Sequence, residues 1–204
     1  MKKKFLTLIE NKIKKEYPKY SKEEIETIMY GVETIYITIT KTIIIFSLAA
    51  VLGLFKELLF LLIAFNIMRI PAFGLHASNG TICLIFSSLL FIISTILCKY
   101  LNIPVSVSII IYILMFINIV LYAPADTVKR PLINAKKRKR YKIISIIFTL
   151  IYFLLSLFIK DNLITNSLTF GLLIECILIN PITYKVFNMP YKNYKTYDLN
   201  AKSD

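Results

Sequence analysis

The chain has 204 residues, of which 57% are hydrophobic and only 18% charged, with a mean hydropathy of +0.68. A soluble domain carries about a quarter charged residues spread over its surface. Here the charges fall in clusters between long apolar runs, which excludes an ordinary soluble domain and points to a membrane protein. The net charge of +13 then reports cytoplasmic Lys and Arg and contact with anionic lipid rather than with nucleic acid.

Residues 1–34 read as a cytoplasmic, basic, amphipathic region. Their apolar run is too short for a signal-peptide core, so they are expected to belong to the mature protein. Phe5, Leu8, Ile9, Lys12 and Ile13 suggest a helix lying on the headgroups, with a solvated basic tail as the alternative. Ser21 and Glu24 have capping-box spacing, so a helix is expected to start after Ser21 and lead toward the first span.

Six apolar segments follow: Ile35–Phe55, Leu58–Ile70, Thr81–Leu97, Ile103–Ala123, Ile143–Ile159 and Leu163–Tyr184. A spanning helix needs roughly 20 residues. The second segment is too short unless it continues through Pro71 to about Gly74, or is re-entrant. The predicted fold is an all-α, polytopic integral membrane protein of about six segments with an N-terminal amphipathic helix. It is read as a single membrane-embedded domain over 1–204.

Orientation follows from Lys and Arg. Residues 1–34 carry eight, the expected loop 124–142 eight more, including KKRKR at 136–140, and the tail after Tyr184 four. The positive-inside rule puts both termini and that loop in the cytoplasm. The junction between the second and third segments then faces the cytoplasm near the inner leaflet.

That junction, RIPAFGLHASNGTIC, holds His76, the one His of the chain, and Cys83, one of three Cys. A Cys nucleophile needs a base that makes thiolate, and His is the usual one. The two residues are seven apart. On a continuous helix they would lie roughly 10.5 Å apart along the axis, whereas a working pair needs about 3 Å. The backbone must therefore break between them, and Ser78, Asn79 and Gly80 supply cap and turn residues there. Cys83 would then sit in the first turn of the third segment, where the helix dipole and free N–H groups favour a thiolate and an oxyanion. Cys98 and Cys176, inside apolar runs, read as inert packing, and an odd Cys count argues against a disulfide framework.

The frame R-x4-G-x-H-A-x5-C, formed by Arg69, Gly74, His76 and Cys83, resembles the core of the AgrB-type membrane cysteine endopeptidases of Gram-positive quorum sensing. The stretch YAPADTVKRPL, Tyr122 to Leu132, looks like a second signature of the same family. One residue departs: Phe73 stands where the family commonly has the first of two Gly. The resemblance implies a bacterial membrane enzyme that removes the C-terminal tail of an AgrD-like propeptide through a Cys thioester. A nucleophile within the peptide then closes a thiolactone or lactone ring. By carry-over Cys83 is the nucleophile and His76 the general base and acid, with Arg69 and Gly74 in support and no cofactor or metal. Such small membrane proteins could pair as homodimers to close a cavity.

Other features keep two readings each. Lys136, Lys137 and Arg138 of the basic run would steer the acidic tails that the resemblance implies for the propeptide, or set topology and bind anionic lipid. Asp126 fits a turn or cap residue, or a third member orienting His76. Glu175 and Lys41 lie inside apolar segments and could pair, while Lys41 could also snorkel. Asn66 and Asn118 are expected to bond between helices. No GxxxxGK, HExxH, CxxC or GxSxG motif occurs. Beside the peptidase reading stand a small peptide exporter lined by Arg69, Glu175 and Lys41, and a lipid-modifying or scaffold protein.

Overall fold

The computed structural model describes residues 2–75, 80–128 and 131–196, the side chains of 3, 34 and 80–83 excepted. The described residues form helices α1 (Lys2–Glu16), α2 (Lys22–Val51), α3 (Phe55–Ala72), α4 (Gly80–Tyr100), α5 (Val105–Tyr122), α6 (Ala135–Phe158), α7 (Asn162–Ile179) and α8 (Pro181–Val186). Among them there is no strand, only an isolated parallel bridge between Phe73 and Ala125. The chain divides into two compact units, Met1–Ser47 and Leu48–Asp204. Among the described residues four helices are long and apolar enough to cross a membrane: α2, α5, α6 and α7. Leu84–Tyr100 of α4 is a shorter apolar stretch. The all-α membrane architecture expected from composition is what the chain adopts.

Local chemistry explains where the helices start and stop. The Ser21 capping box forms in full: Glu24 N–H donates to Ser21 Oγ at 3.2 Å, and Ser21 N–H donates to the Glu24 carboxylate at 2.8 Å. α2 runs from there without interruption to Val51, four residues short of the Phe55 expected as its end. A Schellman closure stops it, with Leu54 N–H reaching Ala49 O at 2.7 Å and Gly53 N–H reaching Ala50 O at 3.1 Å. Phe55 instead opens α3, which continues through Pro71 to Ala72 as the length of the second segment required.

Two further boundaries differ from expectation. The basic run KKRKR is not in a loop. It forms the first turns of α6, because Asn134 caps the helix by accepting from Lys137 N–H at 3.2 Å and Lys and Arg are good helix formers. The sixth segment stops at Ile179 rather than Tyr184, because Pro181 cannot continue α7. Asn180 caps the short α8 instead, accepting from Ile182 N–H at 2.9 Å.

α3 and α7 form the centre of the second unit. Leu58, Leu61 and Met68 on one, and Leu172, Ile174 and Ile179 on the other, are fully buried. They approach closely at Gly171, where a Cβ would lie 2.9 Å from both Ala64 Cβ and Phe65 N. Polar side chains tie the bundle. Tyr152 on α6 donates to Ala64 O at 2.8 Å, Asn166 on α7 donates to Leu101 O at 2.6 Å, and Thr169 bonds the Tyr112 hydroxyl at 3.3 Å. Ser145, Thr149, Ser167 and Thr169 are buried while Ile110, Leu114, Ile147, Leu154 and Phe158 face outward. Large apolar groups outside and small polar groups between helices is the pattern of a bundle whose solvent is lipid.

Asn66 does not take part in this network. It donates to Leu62 O of its own helix at 2.7 Å, since its position on α3 faces outward. Asn118 Oδ1 is buried with no partner among the described residues. Cys98 and Cys176 are buried free thiols, as inert packing requires.

Gly171→Leu should destabilise the second unit by more than Gly171→Ala. The alanine is expected to cost about 1–3 kcal/mol, the usual range for overpacking, read as a lower Tm of the detergent-solubilised protein. An unchanged Tm for both would show that α3 and α7 are not in close contact.

Candidate active site

The segment Arg69–Leu75 is pinned by α7, by the 123–126 turn and by itself. Phe73 N–H still donates to Arg69 O at 3.1 Å, closing α3. The chain then turns sharply, with Phe73 at φ 64° and Gly74 at φ 96°. Ala125 N–H donates to Ala72 O at 2.9 Å, and Gly74 N–H donates to Ala125 O at 2.8 Å. Leu75 N–H donates to Leu178 O on α7 at 2.9 Å. The two signature stretches, Arg69–Cys83 and Tyr122–Leu132, thus meet through their main chains.

Arg69 holds the same segment from the side. Its Nη2 donates to Gly74 O at 3.0 Å and to Leu75 O at 2.8 Å. Its Nη1 lies 3.5 Å from each carboxylate oxygen of Glu175, which is completely buried on α7. Gly74 is required twice over. Its φ is one that L side chains rarely adopt, and a Cβ there would run into Arg69 Nη1 and come 3.1 Å from Leu178 O. Glu175 therefore pairs with Arg69.

Asp126 sits at the centre of a second cluster. It is buried, and its carboxylate accepts from three main-chain N–H groups: Asn193 at 2.9 Å, Tyr194 at 2.8 Å and Leu132 at 3.3 Å. Its own carbonyl accepts from the Tyr184 hydroxyl at 3.0 Å. Burial pushes the Tyr184 phenol up, and the Tyr191 phenol beside it up to about 12, so both remain neutral at neutral pH. Asp126 in this way fastens residues 193 and 194, near the end of the described chain, under the second signature.

The basic run divides by role. Arg138 turns inward, donating to Leu132 O and Ile133 O at 2.7 Å each, with its guanidinium 4.0 Å from the Tyr194 ring centroid. Lys136 and Lys137 are exposed. Phe73 packs edge-on against Tyr141 of α6, ring centroids 5.0 Å apart, so α6 also touches the turn after α3.

His76, Ser78 and Asn79 lie outside the described residues. The described backbone resumes at Gly80, the first residue of α4, which places Cys83 in the first turn of that helix. Free N–H groups and the positive end of a helix dipole favour a thiolate and an oxyanion at such a position. Sequence reasoning had Arg69 and Gly74 in support but left Glu175 unassigned. The available signal was the rule that an acid inside a membrane helix needs a cationic partner, which by itself does not choose between Arg69 and Lys41.

The sequence profile of accessory gene regulator B, AgrB, matches residues 6–179. The chain belongs to the AgrB family. Similar curated proteins include an AgrB-like protein of Clostridium acetobutylicum, 38% identical over 182 residues, 88% of this chain and 86% of the relative. An AgrB-like protein of Listeria innocua is 34% identical over 84% of each chain. The accessory gene regulator protein B of Staphylococcus aureus is 33% identical over 76% of this chain and 81% of its own. No solved structure matches. Membership in AgrB, a membrane family, implies a role in the agr quorum-sensing system and association with its AgrD propeptide.

Asp126→Ala removes the acceptor for three N–H groups, and hydrogen bonds to a charged group are worth about 1.5–3 kcal/mol each. Residues 192–196 should come loose, and trypsin should cut after Lys192 and Lys195 at least tenfold faster than in the unmodified protein. Equal cleavage rates would show that Asp126 does not hold this segment.

Proposed function

We propose that this AgrB-family protein is a membrane-embedded cysteine endopeptidase that processes an AgrD-like propeptide. Cys83 Sγ attacks the carbonyl carbon of the scissile peptide bond while His76 takes the thiol proton. The C–N bond breaks, the leaving amine receives that proton from His76, and a thioester remains on Cys83. A thiol or hydroxyl of the bound peptide then attacks the thioester and expels the Cys83 sulfur, its proton passing through His76. The product is a thiolactone or lactone ring.

The observation that carries this reading is the frame built around the segment. Three main-chain bonds and the guanidinium of Arg69 hold residues 72–75 immediately before His76, and α4 starts three residues before Cys83. Such rigidity at a break between apolar helices costs ordering entropy, and supporting a catalytic pair is a reason for it. Thioester exchange is nearly balanced in energy whereas hydrolysis is downhill, so ring closure also requires that water be kept out. Apolar Leu84 and Ile85, which follow Cys83, favour that exclusion.

The remaining roles follow. Exposed Lys136 and Lys137 draw the acidic propeptide tail and anionic headgroups toward the site. Asp126 acts as an anchor, its carboxylate accepting from three main-chain donors. The Lys and Arg distribution supports a cytoplasmic location for the termini and the site. The exporter reading is disfavoured, because Arg69 and Glu175 bind each other and the main chain rather than lining a path.

Membranes containing this chain and a candidate propeptide should yield cleaved, cyclised peptide, with a mass-detectable peptide thioester on Cys83. Cys83→Ala should abolish both, and His76→Ala should lower the rate about 10²–10⁴-fold, the usual contribution of a general base. Processing unchanged in Cys83→Ala would end the peptidase reading.

A further inference from the structure

We propose that Glu175 is a positioning residue for the active site: by anchoring Arg69, it fixes the Gly74 and Leu75 carbonyls and so the backbone that enters His76. The proposal rests on the reading of His76 and Cys83 as the catalytic pair. Glu175 lies 100 residues beyond that segment, on a different helix, and belongs to neither signature stretch.

The geometry is that of a planar fork used at both tines. One nitrogen of Arg69 faces the Glu175 carboxylate, 3.5 Å from each oxygen. The other donates to two successive carbonyls at 3.0 and 2.8 Å. Because a guanidinium is rigid and planar, fixing one edge fixes the direction of the other. Gly74 leaves the space that the guanidinium occupies. α7 grips the same segment a second time, three residues further along, where Leu178 O accepts from Leu75 N–H at 2.9 Å. The chain entering His76 is therefore registered against α7 at two points, one main-chain and one through a charge pair.

Stability alone does not account for an acid here. Burying an ion pair in a low-dielectric interior is often no better than filling the space with apolar side chains, and α7 is otherwise free of Asp, Glu, Lys and Arg. What the carboxylate adds is direction. A neutral side chain would leave the guanidinium free to turn toward other acceptors or toward the headgroups, and the two carbonyls would lose their shared donor.

The test needs no propeptide. Full-length protein in lipid nanodiscs is treated with iodoacetamide, and the alkylation rate of Cys83 is followed by mass spectrometry of its peptide, buried Cys98 and Cys176 serving as internal references. His76→Ala should slow Cys83 alkylation, because the thiolate fraction falls. Glu175→Gln should slow it at least tenfold, and Glu175→Asp, which keeps the charge, less than threefold. In a His76→Ala background Glu175→Gln should change the rate less than twofold, since its effect passes through His76. A purely structural role would lower the amount or Tm of folded protein and leave the rate per folded molecule unchanged.

A rate within twofold of the unmodified protein for Glu175→Gln overturns the proposal. So does an equal slowing with and without His76. If His76→Ala itself alkylates at the unmodified rate, the catalytic-pair reading fails, and the proposal with it. Should Glu175→Gln not accumulate, Arg69→Lys keeps the charge but loses the fork. It should give the same tenfold slowing, again only when His76 is present, and a rate within twofold of the unmodified protein would overturn the proposal.

Discussion

An arginine that faces acceptors in two directions, its side chain only 15% exposed, organises the centre of the second unit. Arg69 stands in the last turn of α3, close to where that helix must end. Its charge, largely withdrawn from the surface, is met by the Glu175 carboxylate and two main-chain carbonyls. Those carbonyls belong to residues that have left the helix, where C=O groups lack intrahelical partners. One side chain thus answers two needs at once: its own need for acceptors and the need of the broken backbone for donors. The chain leaves α3 at Phe73 and Gly74 with its carbonyls paired because of it.

The break also explains why two distant stretches must be present together. Ala72 and Gly74 bond Ala125, and the residue after Ala125 is the buried Asp126. Asp126 in turn holds residues 132, 193 and 194. A chain of contacts therefore runs from the turn after α3 through the second signature to the segment beyond α8. Arg138 closes it from α6, bonding the carbonyls of residues 132 and 133 and lying over Tyr194.

The features legible in the sequence were those set within a few residues. The capping box at Ser21 and Glu24 follows from local spacing, and the passage of α3 through Pro71 is one of the two readings that the segment's length allows. The turn at Phe73 and Gly74, by contrast, precedes the Ser78–Gly80 stretch where a break was expected, most of which lies outside the described residues. Boundaries shifted where a closing motif, not hydropathy, ends the helix, as at Val51 and at Ile179 before Pro181. The basic run at 136–140 misled because charge density resembles a loop, whereas Asn134 and the helix propensity of Lys and Arg carry α6 outward. Pairings across the fold were not legible. Arg69 and Glu175 are separated by 106 residues, and Asp126 and Asn193 by 67. Neither spacing carries a periodicity, so only the rule that buried charges need partners could have suggested them, and that rule did not name which.

Phe73 shows how the same frame absorbs a poor local fit. It occupies a φ of 64°, where a non-glycine residue costs about 1–3 kcal/mol, at a position where glycine would relieve the strain. The turn nevertheless forms, because the bonds that define it come from elsewhere: Ala125 on either side, Arg69 across it and Leu178 beyond. The phenyl ring then contributes what glycine could not. It packs edge-on against Tyr141, a contact worth about 0.5–1.5 kcal/mol beyond the area it buries. Tyr141 directly follows the basic run on α6, so the ring joins the helix that carries those charges to the turn that leads into His76. The strained residue is therefore held by its surroundings and, through its side chain, adds to the path through Arg138 a direct contact between α6 and the turn that glycine would not make.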